Sequence, residues 1–364
     1  MTIAQITDAL EEFAPCAYQE SYDNAGLIVG NRQSEATGAL LCLDVTERAL
    51  QQAIDRRINL IISHHPVIFG GLKRLVGSTA AERVVQQAVR HDVALYAAHT
   101  NLDSVRGGVS EKMCDKLMLK NRSILQPVKN QLVKIAVYAP SAHAEAVRQA
   151  MFAAGAGHIG QYGCCSFTTQ GTGTFLAGEQ ATPFVGKRGV LHREPEEKVE
   201  VIAHESKVSS AVAAMRAVHP YEEVAYDLYP LLNEHVGVGL GMVGELEKPM
   251  ETGEFLRLVK QTFNNQSVKY VTSGRSEVCR VAVCGGSGGS LMGKAIACGA
   301  DAFVSADFKY HQLQEADGRI TVADVGHYES EIFAIEIFSE VITKKFPTFA
   351  PYLVEYTVNQ INYL

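Results

Sequence analysis

The stretch Asn59-Leu60-Ile61-Ile62-Ser63-His64-His65-Pro66 decides how this chain reads. Residues 59–63 form a short apolar run of the length of a buried parallel strand, and Pro66 stops it just beyond. Histidine is costly to bury without a partner, so two of them at a strand end need a reason. In an open α/β sheet, ligands bind in the crevice at the carboxyl ends of the strands. Two imidazoles there are candidate ligands for a metal ion or a pair of ions. The plainer alternative is one buried, hydrogen-bonded histidine beside an exposed one.

Working outward, the flanking segments alternate between strand and helix patterns. Ala39–Val45 is an apolar run followed by a helical stretch, Glu47–Arg56. After the central strand come a helix at Thr79–His91, a strand at Val93–Ala98 and a helix at Gly107–Leu119. Such alternation predicts a mostly parallel sheet covered on both faces by helices. Near Lys120 the pattern changes to strand Asn130–Ala139, helix Ser141–Ala154 with Ser141 as its cap, and a Gly- and Thr-rich hairpin over Gly155–Gly189. Strand Glu197–His204, helix Lys207–Val218 and strand Val224–Leu231 follow. The order β-α-β-β-α-β is that of a ferredoxin-like unit. The expected organisation is therefore a discontinuous α/β domain, 1–122 plus 234–364, interrupted by an inserted ferredoxin-like α+β domain, 123–233. In the returning α/β part, strands are expected at Arg280–Cys284, Ala302–Ser305, Ile320–Asp324 and Tyr352–Thr357. Helices are expected at Glu254–Phe263, Gly289–Cys298 and Phe308–Ala316, with a long amphipathic one at Glu329–Thr343.

Bulk properties narrow the function classes. With 364 residues, 47% hydrophobic and 20% charged, the chain has the makings of an ordinary globular protein of two or three domains. A net charge of −7 argues against general nucleic-acid affinity and against a polybasic membrane surface. No window approaches the roughly 18 apolar residues of a membrane span. Ile3, Ile6, Leu10 and Phe13 follow helical spacing, so the start reads as a first helix and not a signal peptide. Eight cysteines without a C-x-x-C pair, two of them vicinal at Cys164-Cys165, are expected to be reduced and mostly buried in a cytoplasmic protein.

Three strand ends carry candidate metal ligands. The first is His64-His65. The second runs His99-Thr100-Asn101-Leu102-Asp103. The third, Asp324-Val325-Gly326-His327, enters a helix in which Glu331 lies one turn beyond His327 on the same face. His64, His65, Asp103, His327 and Glu331 suit two borderline divalent ions such as Zn²⁺, Mn²⁺ or Fe²⁺. A carboxylate able to bridge is also present, and Glu331 is the choice because it shares a rigid helix with His327. Each motif alone has a bland reading, since His-x-x-x-Glu pairs are common on helix surfaces; the coincidence of three at strand ends is the evidence. Asp307 and His311 form a second acid–imidazole pair at helical spacing, and with His99 they are candidates for proton transfer or for supporting the ligands. Asp307 could equally cap a helix. Gly285-Gly286-Ser287-Gly288-Gly289-Ser290 opens a helix and reads either as an anion-binding turn or as a turn needing positive φ. Asp23-Asn24-Ala25-Gly26-Leu27 is turn chemistry, structural unless the fold brings it to the metals. No organic cofactor is indicated.

These ordered blocks together resemble the GTP cyclohydrolase 1 type 2 homolog family, the NIF-three-like proteins. The matching stretches are Asp23–Leu27, Ser63–Pro66, His99–Asp103, Ser305–His311 and Gly326–Glu331. The resemblance implies a dinuclear site on His64, His65, Asp103, His327 and Glu331, and a ring-shaped homohexamer with metal sites facing an internal cavity. The insert, with Gly157–Tyr162 and His219-Pro220-Tyr221-Glu222-Glu223, is similar to that of longer family members and to CutA- and PII-like proteins. A small site on His158, His219, Glu222 and Glu223 competes there with plain hairpin and turn roles. The expected function is metal-assisted hydrolysis of a nucleotide-like or phosphorylated small molecule. The alternative is a non-enzymatic, metal-dependent oligomeric sensor or scaffold whose inserted domain binds a small molecule or a protein partner.

Overall fold

The computed structural model describes every residue except 130, 356–358, 360, 363 and 364. The chain divides into two compact units, Met1–Gln126 with Gly237–Leu364, and Pro127–Val236. In the first half of unit one, α1 (Ile3–Phe13) is followed by β1 (Gly26–Val29), β2 (Ala39–Cys42), α2 (Glu47–Asp55) and β3 (Leu60–Ser63). Then come α3 (Ala80–Arg90), β4 (Ala94–Ala97), α4 (Thr100–Asp103), α5 (Val109–Lys116) and β5 (Lys120–Val128). Threonines start three of these helices. Thr2 makes a reciprocal capping box with Gln5, while Thr46 and Thr79 accept from the backbone N–H of Ala49 and Glu82.

Unit two comprises β6 (Leu132–Pro140), α6 (Ala144–Ala153), β7 (Ser166–Leu176), β8 (Leu191–His204), α7 (Glu205–Val218) and β9 (Tyr226–Leu231). Its sheet runs β7-β8-β6-β9, with antiparallel pairing throughout. Connectivity and order are those of a ferredoxin-like unit. Ile135, Val137 and Val201 from the sheet pack against Val147, Met151 and Met215 from the two helices. The first helix begins at Ala144 behind His143 and has no side-chain cap, so Ser141 does not cap it. Residue 130, placed in the first predicted strand, lies outside the described residues.

The second half of unit one adds β10 (His235–Glu251), α8 (Thr252–Thr262), β11 (Lys269–Val271), β12 (Glu277–Ser287), α9 (Met292–Ala297) and β13 (Ala302–Ala306). It ends with α10 (Tyr310–Glu315), β14 (Thr321–Asp324), α11 (His327–Glu331), α12 (Ala334–Lys345) and β15 (Tyr352–Leu353). Positions 356 and 357 of the last predicted strand are not among the described residues. Two sheets result, in the orders β1-β4-β3-β2-β15 and β11-β14-β13-β12-β10-β5. Each has a parallel centre, β4-β3-β2-β15 and β14-β13-β12. Antiparallel strands flank those centres: β1 in the first sheet, β10 and β11 in the second. The second sheet is thus mixed around its parallel centre. β5 and β10 belong to it; unit one runs on to Gln126, past the expected 122, and resumes at Gly237, a few residues after the expected 234. Neither strand was predicted; in β10, Gly237, Gly239, Gly241 and Gly244 alternate with or interrupt Val236, Val238 and Val243 and so blur the pattern that marks a strand.

The central strand shows why a short apolar run suffices. All four residues of β3 are buried. Leu60 and Ile62 pack with Ile3, Ile6, Leu10 and Phe338 on one face; Ile61 packs with Leu50, Val84 and Ala88 on the other. Burial of each such side chain stabilises the fold by about 1.5–3 kcal/mol.

The predicted helix Glu329–Thr343 is divided into α11 and α12. Phe333 joins the core of the second sheet, stacking edge-on with Phe263 at 5.8 Å, whereas Ala334, Ile337 and Phe338 join that of the first. One straight helix would not serve both cores, so the turn at 332–333 ties the two sheets together and sets α11 between them. Among the described residues, no helix is long and apolar enough to cross a membrane. The cysteines are free, as expected, but only Cys42, Cys114 and Cys284 are buried; Cys164 is exposed and the rest are half-buried.

Candidate metal centre

The parallel ladder continues past β3, with the N–H groups of His64 and His65 donating to the carbonyls of Cys42 and Leu43 at 3.3 and 3.0 Å. Adjacent side chains therefore leave the strand end held in different directions. His64 is fully buried, and its Nδ1–H donates to the Ala98 carbonyl at 2.8 Å. Its Nε2 lies 3.7 Å from Asp103 Oδ1 and 3.8 Å from Glu331 Oε1. The His65 ring is held by Asp44 Oδ1 at 2.8 Å from Nδ1, and its Nε2 lies 2.8 Å from Glu331 Oε2 and 3.4 Å from His327 Nε2.

His327 and Glu331 face one another along α11, with Nε2 and Oε2 2.9 Å apart. His327 Nδ1 is held by Asp307 Oδ2 at 2.7 Å. Asp307 follows β13 with φ of +57°, a left-handed conformation that Asp tolerates better than most residues. It precedes α10, whose N-cap is Lys309, so it neither caps that helix nor shares a helical face with His311. His311 is a correction to the sequence reading. It is exposed on α10, bonded to Gln314 and in edge contact with Tyr310, and is not brought to the cluster. His99 is brought there: its ring centre lies 5.2 Å from that of His64 and 5.4 Å from that of His65. Asp23 Oδ1 holds its Nδ1 at 2.8 Å, and the other Asp23 oxygen accepts from the Thr100 N–H. The Asp23 turn thus has a role at the site.

One rule runs through all four imidazoles. Each presents Nδ1 to an oxygen, from Ala98, Asp44, Asp23 or Asp307, and leaves Nε2 for the centre. That is the arrangement by which metal-ligating histidines are oriented and held in one tautomer. The potential ligand atoms fall into three groups, His64–His65–His99, His65–His327–Glu331 and His64–Asp103–Glu331, each within 4.8 Å. Glu331 belongs to two of them, offering Oε1 to one and Oε2 to the other.

The electrostatics of the ion-free cluster are those of a site built for positive charge. Burial pushes the Asp103 carboxyl up to about 7, against the pull of His64 and with the help of the Glu331 charge. Glu331 is held well below the usual carboxylate range; burial opposes this, but His327, His64 and His65 outweigh it. Burial would lower His65, yet its bonds to Asp44 and Glu331 raise it to about 10. The bond to Glu331 leads in raising His327 to about 9. Two buried atoms, His64 Nε2 and Asp103 Oδ1, have no hydrogen-bond partner. Leaving such atoms unsatisfied costs about 1–3 kcal/mol each, and a cation between them removes that cost. The donor set and these orphaned atoms fit divalent ions.

The glycine run supports the centre sterically. Gly286 has φ of +59°, and a Cβ there would sit 2.1 Å from Glu331 Oε1; one on Gly285 would sit 2.7 Å from Val109 Cγ1. The Gly286 N–H donates to Ser330 Oγ at 2.9 Å. The run is therefore a turn that lets backbone close against Glu331, with a single 3₁₀ turn, Gly289–Leu291, leading into the six-residue α9. Sequence reasoning missed Asp44 altogether. Its only signal is its place just after β2, at the same sheet edge.

Comparison with known proteins decides the family. The model for Duf34/NIF3 (NGG1p interacting factor 3) matches residues 1–362. The chain belongs to the Duf34/NIF3 family. Among its relatives in this NIF3 family, the GTP cyclohydrolase 1 type 2 homolog of Halalkalibacterium halodurans is 40% identical over 330 residues, 90% of this chain and 88% of the relative. The protein of the same description from Bacillus subtilis is 38% identical over 343 residues, 94% of this chain and 91% of its own length. The crystal structure of a Bacillus cereus protein related to NIF3 superposes with a TM-score of 0.85 at 33% identity, covering 100% of this chain and 99% of that one. The NIF3 fold is therefore the fold of this chain, with the antiparallel unit two inserted in it.

Proposed function

We propose that this NIF3-family protein binds two divalent ions per chain, of the zinc, manganese or iron type, and uses them to hydrolyse a nucleotide-like or phosphorylated small molecule. The observation that carries the reading is the convergence of three Nε2 atoms, those of His64, His65 and His327, each fixed through its own Nδ1, on Glu331, with Asp103 beside His64 and His99 grouped with His64 and His65. His65, His327 and Glu331 would hold one ion; His64, Asp103 and Glu331 the other, with Glu331 bridging. When bound, such a pair supplies Lewis acidity and a water acidified toward neutrality. The chain's own residues orient and exclude. Asp44 and Asp307 hold the His65 and His327 rings, and Asp23 fixes His99, whose Nε2 then faces the cluster to ligate or to carry a proton.

At the rim, Tyr22 and Phe69 stack at 6.2 Å between ring centres, and Phe69 meets His99 edge-on at 5.7 Å. Both aromatic rings are more than half exposed, which suits contact with a flat heterocyclic ring. The relatives described as GTP cyclohydrolase 1 type 2 homologs favour a purine nucleotide among candidates. From the resemblance follows the assembly we propose, a homohexamer, which sedimentation velocity reads directly. Function is tested by a metabolite-library turnover screen on metal-replete protein, with His65→Ala as control. Turnover that tracks metal content and is lost in that variant supports the reading. Full metal occupancy without turnover of any nucleotide or phosphoester overturns the hydrolase and assigns the metals a structural role.

A further inference from the structure

Unit two contains a cavity of about 830 Å³ between the β7–β8 hairpin and the segment before β9. Its wall is built from two kinds of group. Phe175, Phe184 and Tyr221 form a corner, with Tyr221 6.1 Å from Phe175 and 6.4 Å from Phe184, at interplanar angles of 63° and 50°. Three carboxylates, Glu196, Glu222 and Glu223, share the lining, and among the described residues no lysine or arginine does. Arg188, on the same hairpin, is tied through Nε to the Ala181 carbonyl.

The carboxylates are placed, not merely present. Glu196 Oε1 accepts from the Tyr221 hydroxyl at 2.9 Å, and Glu222 Oε1 accepts from the Thr182 N–H at 2.8 Å. A Cβ at position 173 would lie 2.0 Å from Glu196 Oε2, so Gly173 keeps open the space that this carboxylate fills. Among the described residues, all groups of potential ligand atoms within 4.8 Å of one another belong to the metal centre and none to this unit. His219 is committed at Nε2 to the Tyr138 carbonyl and at Nδ1 to the Tyr221 N–H. His192 is paired with Glu194 outside the lining. The small metal site considered for His158, His219, Glu222 and Glu223 is therefore not what the geometry favours.

Aromatic faces carry partial negative charge and, set at an angle, attract a cation that carboxylates also attract. We propose that this cavity binds a small organic cation, an alkylated ammonium, with its charge against Phe175, Phe184 and Tyr221 and its counter-charge on Glu196. The site is independent of the metal centre and of the hydrolase reading.

Calorimetric titration of the full-length protein tests it with three probes: choline, propylammonium, and 3,3-dimethylbutan-1-ol, the neutral isostere of choline. At least one cation is expected to bind saturably, with choline at least tenfold tighter than its isostere if choline is that cation. Phe184→Leu, at an exposed position where folding is not at stake, and Glu196→Gln should each weaken binding at least tenfold without changing metal content. Failure of both cations to bind overturns the proposal. Equal affinity for choline and its isostere, or indifference to both substitutions, overturns it too, and would mark the cavity as a generic apolar pocket.

Discussion

The metal centre and the unit-two cavity are both lined by rings and carboxylates, yet they are built for different ligands. At the centre the rings are imidazoles whose edges converge, with an in-plane lone pair on Nε2 freed by a bond at Nδ1, and Glu331 is buried. In the cavity the rings are phenyl and phenol, set at 63° and 50° to one another so that the proposed cation would meet their faces, and no carboxylate of the lining is buried. The lesson is that the presented part of the ring and the burial of the acid distinguish a coordination site from an ion-pairing one. Composition alone does not.

The hardest break of that contrast is Glu331→Gln. It leaves the fold's volume unchanged but removes the charge common to two ligand groups; metal affinity should fall by at least ~100-fold by competition with a chelating dye, while cation binding in unit two is untouched. Gly286→Ala acts on the same carboxylate through sterics, since its Cβ would collide with Glu331 Oε1 at a residue of positive φ. Loss of metal together with a destabilisation of about 1–3 kcal/mol in urea unfolding is expected. Asp307→Asn and Asp23→Asn keep the ligands but loosen the hold on His327 and His99. Each should lower metal affinity by ~10–100-fold, and a change under twofold would show that these acids do not orient the rings.

A gentler probe is pH. Asp103, raised to about 7, His327, raised to about 9, and His65, raised to about 10, all hold protons at pH 6 in the ion-free protein, whereas metal requires each of them unprotonated. Affinity should therefore rise from pH 6 to pH 9, by more than tenfold, with proton release visible as a dependence of binding heat on buffer ionisation enthalpy. A flat profile contradicts the arrangement. The smallest effect sharpens the contrast from the other side: Phe184→Leu should leave metal content unchanged within error.

Much of this was legible in the chain because it rests on local pattern. The run at 59–63 is apolar without alternation because both faces of β3 are covered, and the i, i+4 spacing of His327 and Glu331 survives as geometry on α11. The place of three motifs at strand ends grouped the five candidate ligands, and the family resemblance implied the same set. What was not legible depends on tertiary placement. Asp44 and Asp23 are ordinary turn acids until the sheet sets them against His65 and His99. His311 and Asp307 looked paired by spacing, but a left-handed residue before α10 sends Asp307 to His327 instead. The division of the last long helix follows from two cores competing for neighbouring side chains, which periodicity along one segment does not reveal.

The central claim is a two-ion centre sharing Glu331. Elemental analysis of metal-replete full-length protein, alongside Glu331→Gln, tests it most directly. Two ions per chain in the natural sequence, both lost or greatly reduced in the variant, are predicted. One ion per chain or fewer under replete conditions, or two that persist without the Glu331 carboxylate, would contradict it.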